Sequence, residues 1–147
     1  MTDKLRVLVL CTGNSPRSQM AEGWLRQLGN GRVEAFSAGT HPAPAVNPLA
    51  VQVMGEVGID LSEQRPKSVE GFLGQPLDCV ITVCDDAAEA CPIFPGPVQR
   101  IHWSFSDPAK VQGDEAARLS AFRHARDGLR ERLEGFLSEA PVGSANA

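Results

Sequence analysis

The residues from Cys11 to Arg17 are the group in this sequence best suited to chemistry on an anion. A cysteine is followed by five residues and then by an arginine, and Ser18 comes next. When such a loop joins a strand to a helix, its backbone N–H groups can point at one spot, where the helix dipole adds partial positive charge. Arg17 adds a forked, permanently charged donor. These surroundings favour a thiolate, so the loop predicts that Cys11 is a nucleophile facing an oxyanion.

The remaining residues of the loop are predicted to hold that anion. Gly13 and Asn14 tolerate the left-handed backbone that a cradle needs, and Ser18 can either cap the helix or bond to the sulfur of Cys11. The predicted oxyanion-binding residues are Thr12, Gly13, Asn14, Ser15, Arg17 and Ser18. The alternative is a cysteine at a strand end beside a surface arginine. We favour the functional interpretation because the strand, loop and helix signals agree.

The segments around this loop alternate between strand and helix patterns. The mostly apolar segment at residues 5–10 predicts a strand buried on both faces, and helical spacing at residues 18–28 predicts the helix after it. The other predicted elements are strands at 32–37, 77–83 and 98–103, helices at 48–57 and 68–73, and a final helix that starts after Asp114. This order predicts a single-domain, three-layer α/β fold with a four-stranded, mostly parallel sheet and helices on both faces.

Length and charge limit the possible partners. The 147 residues are the size of one domain, and we expect a catalytic domain at residues 1–140 and a flexible tail at residues 141–147. A net charge of -4 argues against binding to nucleic acid or to an anionic membrane. No export signal or membrane span is evident, so we expect a cytoplasmic monomer with reduced cysteines.

Three positions with reactive side chains follow predicted strands. These are Cys11, Cys84 and Asp107, and ligands of parallel α/β sheets bind beyond the carboxyl ends of the strands. We therefore expect all three on one rim. Asp107 precedes Pro108, so it either caps a helix or donates a proton to an oxygen that leaves as Cys11 attacks.

The stretch Val-Leu-Cys-Thr-Gly-Asn-Ser-Pro-Arg-Ser-Gln-Met-Ala-Glu-Gly, at residues 9–23, carries a family resemblance. It resembles the low-molecular-weight protein tyrosine phosphatases and the thioredoxin-coupled arsenate reductases that share their fold. The similarity includes residues 36–40 and 58–60 and extends to about residue 137. Both branches have the loop, so the loop does not decide between hydrolysis of a phosphate ester and reduction of arsenate.

Reduction needs two electrons, and the sequence has no Gly-x-Gly-x-x-Gly fingerprint, so we expect thiols and no cofactor. The resemblance implies a resolving pair at Cys84 and Cys91. Cys11 would form an arseno adduct, Cys84 would attack Cys11, and Cys91 would attack Cys84. Thioredoxin would reduce the resulting disulfide. The resemblance thus implies an arsenate reductase that acts in arsenic detoxification and retains residual phosphatase activity.

Two other interpretations stay open. Cys84 and Cys91 can be buried packing cysteines, which is how we interpret Cys79. The protein can also be a low-molecular-weight phosphatase, although the sequence has no tyrosine and such enzymes often have tyrosines beside the acidic residue.

Two positions depart from the family pattern. Pro16 stands where these loops commonly have a second cysteine, and its missing N–H predicts a poorer anion cradle. Some of these reductases bind potassium at positions that match Asn14, Glu22 and Ser37, but the remaining acidic position falls on Lys67. The ammonium group can take the cation's place beside Glu22. We therefore expect no bound metal and no potassium dependence.

Overall fold

The computed structural model describes residues 4–84 and 98–139. Among these residues, four strands form one sheet in the order β2-β1-β3-β4, and all three strand pairs are parallel. The strands are β1 at Leu5–Cys11, β2 at Val33–Gly39, β3 at Cys79–Thr82 and β4 at Gln99–His102. The predicted four-stranded parallel sheet is confirmed. Cys91 and the predicted tail at 141–147 lie outside the described residues.

The helical segments follow the sequence pattern closely. They are α1 at Arg17–Gly29, α2 at Pro48–Gly55, α3 at Glu115–Glu139 and two 3₁₀ helices at Val69–Phe72 and Pro108–Lys110. The carboxylate of Asp114 accepts from Ala117 N–H at 2.9 Å, so this aspartate caps α3, which begins where the sequence predicted. None of the described helices is both long enough and apolar enough to cross a membrane.

Successive side chains of a strand point to opposite faces, and helical segments cover both. On one face, the ring of Phe36 lies 5.6 Å from that of Phe72 in the first 3₁₀ helix. On the other, the next residue, Ser37, donates to Glu22 of α1. Helices α1, α2 and α3 also contact one another. The predicted layers of helix on both faces of the sheet are confirmed.

The core fixes α1 between the sheet and α3. Trp24 of α1 is buried, and its indole N–H donates to the carbonyl of Arg126 at 3.0 Å. Phe122, Leu129 and Leu133 of α3 are also fully buried. Each such side chain contributes about 1.5–3 kcal/mol when it leaves water. This packing holds the first turn of α1 against the end of β1.

An ion cluster ties the end of α2 to α3. The carboxylate of Glu56 accepts hydrogen bonds from Arg123 at 2.9 and 2.7 Å and from the buried Arg126 at 2.9 Å. Arg126 also donates to the carbonyl of Val53 at 2.9 Å. The hydrogen bond from Arg123 and the nearby positive charges lower the pKa of Glu56 from 4.5 to about 2.

Glu56→Gln is expected to lower the melting temperature at neutral pH, because a neutral amide cannot pair with two guanidinium groups. The pKa of Glu56 is depressed in the folded state, so its contribution is complete above about 4.5 and is lost as the pH falls through about 2. The difference in melting temperature from wild type, followed by circular dichroism, should therefore shrink toward pH 2. Glu63→Gln, at an exposed site, serves as the control. A difference that stays constant with pH would contradict this account.

Candidate active site

The predicted anion loop joins the end of β1 to the start of α1. Cys11 is the last residue of β1, is wholly buried and pairs in register with Gly39 at the end of β2. Arg17 is the first residue of α1. The positive end of the α1 dipole is therefore directed at the loop.

Residues 40–43 hold the carbonyl groups in the first half of the loop. The hydrogen bonds are Thr40 N–H to Cys11 at 3.3 Å, His41 N–H to Thr12 at 2.8 Å and Ala43 N–H to Gly13 at 2.9 Å. In a trans peptide the N–H points opposite to the C=O, so the N–H groups of these three peptides point away from residues 40–43. Backbone donors turned in this way form an anion-binding concavity.

Gly39 lies directly behind the loop. A Cβ atom at this position would lie 2.5 Å from the carbonyl oxygen of Thr12 and 2.8 Å from the backbone nitrogen of Asn14. Real contacts are not this short, so only glycine permits the loop to approach β2. Gly39 lies in residues 36–40, which carry part of the family resemblance, but no role was predicted for it. The available signal was a glycine two residues after the strand predicted at residues 32–37.

Asn14 supports the loop from within. Its φ of 54° is the left-handed conformation predicted for this residue, and its side chain is fully buried. Its Oδ1 accepts from the backbone N–H of Lys67 at 2.7 Å, and its Nδ2 donates to Ser18 Oγ at 2.8 Å. Ser18 Oγ lies 2.9 Å from Cys11 Sγ. Of the two roles predicted for Ser18, the structure therefore shows the contact with the sulfur.

Arg17 is a nearly buried cation beside the loop. Its Nη1 donates to the carbonyl of Phe105 at 2.8 Å, and its Nη2 lies 3.6 Å from the carboxylate of Asp107. Its Nε is buried and has no hydrogen-bond partner among the described residues. A buried donor without an acceptor is costly, and a bound oxyanion would supply the acceptor.

A cleft of about 730 Å³ opens at the carboxyl ends of the strands. Its lining residues are Thr12, Gly13, Ser15, Arg17, Cys84, Ser104, Phe105, Ser106, Asp107 and Lys110. The structure thus brings Cys84, Asp107 and the anion loop to one rim, where the parallel strands predicted them. Lys110 adds a second cation that sequence reasoning missed, because nothing distinguishes it from an ordinary surface lysine.

Asp107 both caps a helix and lines the cleft. Its Oδ1 accepts from Ala109 N–H at 3.0 Å, which caps the second 3₁₀ helix. Its Oδ2 lies on the side of Arg17 and lines the cleft. The capping role is therefore confirmed, and the role as a proton donor stays a prediction.

The described cysteines differ in their surroundings. Burial, with a smaller effect from the charge of Asp78, raises the pKa of Cys79 to about 12, which agrees with its interpretation as a packing residue. Cys84 lines the cleft, and its sulfur lies 3.4 Å from the hydroxyl oxygen of Thr12. Cys91 lies outside the described residues.

Lys67 pairs with the buried Glu22, as the sequence predicted. Its Nζ lies 3.8 Å from the Glu22 carboxylate and donates to the carbonyl of Arg65 at 2.8 Å. Glu22 also accepts from Ser37 and pairs with Arg26. Burial lowers the pKa of Lys67, and the charge of Glu22 opposes that shift. Within residues 4–84 and 98–139, no group of His, Cys, Asp or Glu side chains is arranged to hold a metal ion.

The Ser15–Pro16 peptide bond is cis, which the sequence did not predict. Ser15 Oγ accepts from the backbone N–H of Asn47 at 2.7 Å, so this part of the loop is tied to the start of α2. The effect of Pro16 on anion binding stays a prediction.

Comparison with known proteins gives a consistent result. The model of the low molecular weight phosphotyrosine protein phosphatase family matches residues 6–144. An arsenate reductase of Halalkalibacterium halodurans is 43% identical over 134 residues, which cover 91% of this chain and 96% of the relative.

Two solved structures add to this comparison. An arsenate reductase in the phosphate-binding state superposes with a TM-score of 0.73 at 33% identity, over 92% of this chain and 98% of its own. A thioredoxin-dependent arsenate reductase of Corynebacterium glutamicum superposes with a TM-score of 0.70 at 25% identity, over 94% of this chain and 64% of its own.

Gly39→Ala is expected to weaken phosphate binding about tenfold or more. Overpacking costs about 1–3 kcal/mol, and each 1.4 kcal/mol corresponds to about a tenfold change in affinity. Isothermal titration with phosphate measures the effect. Gly55→Ala is the matched control, because a Cβ atom there meets nothing within 4 Å. Equal affinities of the two variants would show that the loop does not need a glycine behind it.

Replacement of NaCl by KCl is expected to leave phosphate affinity unchanged, because the ammonium group of Lys67 already lies beside Glu22. The same titration in each salt measures this. In Lys67→Asp a carboxylate replaces the ammonium group, and a preference for potassium should appear. Tighter binding by the wild type in KCl would refute the prediction.

Proposed function

Because the chain belongs to the low molecular weight phosphotyrosine protein phosphatase family, we propose that it uses the family's anion loop to reduce arsenate to arsenite. The observation that carries the proposal is the position of Cys84, whose sulfur lies 3.4 Å from the hydroxyl of Thr12 in the cleft that Arg17 lines. Ester hydrolysis has no use for a second thiol there. Reduction requires one.

In the first proposed step, the thiolate of Cys11 attacks the arsenic of bound arsenate. An S–As bond forms and an As–O bond breaks, and the departing oxygen leaves as water after it takes a proton from Asp107. Arg17 and the backbone N–H groups of the loop bind the remaining oxygens and stabilise their charge. The Nε of Arg17 supports this role, because no described residue accepts from this buried donor and the oxyanion gives it an acceptor.

In the second proposed step, the thiolate of Cys84 attacks the sulfur of Cys11. A Cys11–Cys84 disulfide forms and the S–As bond breaks. The electron pair of that bond stays with arsenic, which is reduced from As(V) to As(III) and leaves as arsenite. The contact with the hydroxyl of Thr12 supports this step, because it places the sulfur of Cys84 beside the anion loop in the cleft.

In the third proposed step, the thiolate of Cys91 attacks the sulfur of Cys84 and releases Cys11 as a thiolate. The product is a redox-active Cys84–Cys91 disulfide, which the dithiol of a thioredoxin reduces by thiol–disulfide exchange. Cys91 lies outside the described residues, so its role rests on the family resemblance and its position seven residues after Cys84. The similarity to a thioredoxin-dependent arsenate reductase supports the choice of reductant.

We further propose that the protein is a cytoplasmic monomer and that this reaction serves resistance to arsenicals. Hydrolysis of phosphate esters is the second candidate function, because the same cradle and Asp107 would serve it. The sequence has no tyrosine to line the cleft beside Asp107. We therefore propose that phosphatase activity is residual.

Arsenate-dependent oxidation of NADPH, coupled through thioredoxin and thioredoxin reductase, is the decisive assay. Wild type is expected to turn over. Cys11→Ser, Cys84→Ser and Cys91→Ser are each expected to lose turnover, because each removes one thiol of the relay. Cys79→Ser is the matched control and is expected to remain active, with folding of all variants checked by circular dichroism.

The rival function is measured on the same proteins. Hydrolysis of p-nitrophenyl phosphate needs Cys11 but neither Cys84 nor Cys91. A wild type that hydrolyses this ester rapidly and does not oxidise NADPH with arsenate would replace the proposed reductase with a phosphatase. Arsenate turnover that survives in Cys84→Ser would refute the three-cysteine relay.

A further inference from the structure

Gln19 is a wholly buried polar residue of α1 that none of the proposed steps uses. Its Nε2 donates to Asn14 Oδ1 at 3.0 Å and to the carbonyl of Arg65 at 2.9 Å. Its Oε1 accepts from Gln64 at 2.5 Å. The carbonyl of Arg65 can only accept, so the nitrogen side of the Gln19 amide must face it and Asn14.

The orientation of the Asn14 amide is determined by the same reasoning. The backbone N–H of Lys67, at 2.7 Å, can only donate, so the oxygen of the Asn14 amide must face it. Gln19 donates to the same oxygen. The nitrogen of Asn14 is therefore turned to Ser18, to which it donates at 2.8 Å.

These two orientations make Ser18 Oγ an acceptor of the Asn14 hydrogen, and Ser18 Oγ lies 2.9 Å from Cys11 Sγ. A thiolate can only accept, so the Ser18 hydroxyl donates to the sulfur when Cys11 is ionised. A hydrogen bond donated to sulfur stabilises the thiolate relative to the thiol. The hydrogen-bond direction thus passes from Gln19 and Lys67 through Asn14 and Ser18 to the nucleophile.

We propose that Gln19 is a positioning residue that keeps Ser18 donating to the thiolate of Cys11. It touches neither the substrate nor the sulfur and acts through the amide of Asn14. The inference rests on the proposed function only in taking Cys11 as the reacting thiol.

Other charged groups surround the loop. The cleft in front of the loop is lined by Arg17, Asp107 and Lys110. Behind the loop, the carboxylate of Glu22 forms ion pairs with Arg26 and Lys67. The substitutions below change none of these groups directly.

Gln19→Glu tests the proposal with almost no change in shape. The carboxylate cannot donate to Asn14 or Arg65, and it faces the Asn14 oxygen with a like charge. The pH midpoint for alkylation of Cys11 by iodoacetamide, resolved by mass spectrometry, should rise by about one unit, so at pH values below both midpoints the reaction should slow about tenfold. Gln19→Met removes the donors without adding charge and should slow alkylation about threefold. Gln27→Glu, at an exposed site on the same helix, is the matched control and should leave the midpoint unchanged.

The Ser18→Ala background shows whether Gln19 acts through the serine. If it does, Gln19→Glu should shift the midpoint far less in that background than in wild type. An unchanged midpoint in both Gln19→Glu and Gln19→Met, with native circular dichroism, would overturn the proposal. An equal shift with and without Ser18 would also overturn it. Alkylation does not require arsenate, so a failed reductase assay with a shifted midpoint would leave this inference intact.

Discussion

The close approach of the anion loop to the end of β2 is the constraint on which the site depends. Cys11 and Gly39 end two neighbouring parallel strands in register, and the loop that follows Cys11 must turn across the end of the second strand. With no side chain at Gly39, the first carbonyl groups of the loop reach the N–H groups of Thr40, His41 and Ala43. Once those carbonyls are held, the N–H groups of the same peptides can only face the other way. The anion cradle is thus a consequence of two strand ends that lie side by side.

The buried hydrogen-bond donors and acceptors around the loop indicate what the cradle can bind. A satisfied hydrogen bond contributes about 1 kcal/mol, whereas a buried group left without a partner costs about 1–3 kcal/mol. Behind the loop, the nitrogen of the Gln19 amide donates to the carbonyl of Arg65, and the oxygen of the Asn14 amide accepts from the backbone N–H of Lys67. In front of it, the Nε of Arg17 is buried and has no partner within the described part of the chain. The amides behind the loop thus have hydrogen-bond partners within the protein, whereas the donor of Arg17 in the cleft is available to a tetrahedral anion.

Local patterns in the sequence predicted most of this fold, and contacts between distant segments account for what they missed. The strand before Cys11, the helix after Arg17 and the shared rim of Cys84 and Asp107 follow from apolar periodicity and from the rule for parallel sheets. The contact between Lys67 and Asn14 joins residues that are 53 positions apart, and no local pattern carries it. Predicted strands also extended one or two residues beyond β3 and β4, because pairing with a neighbour, rather than apolar character, sets their ends.

Cys79 and Cys84 show that position along a strand determines the surroundings of a thiol. Cys79 begins β3 in the core, and with a pKa of about 12 its thiolate at neutral pH is roughly one molecule in 10⁵. Cys84 follows the same strand at its carboxyl end, beside the hydroxyl of Thr12 and in the cleft of Arg17. Both proposed chemistries need the oxyanion cradle, and only reduction needs a second sulfur that can reach the first. Under the proposed mechanism, the cradle binds the tetrahedral anion. The presence of Cys84, just beyond the end of β3, determines that a thiol rather than water resolves the adduct on Cys11.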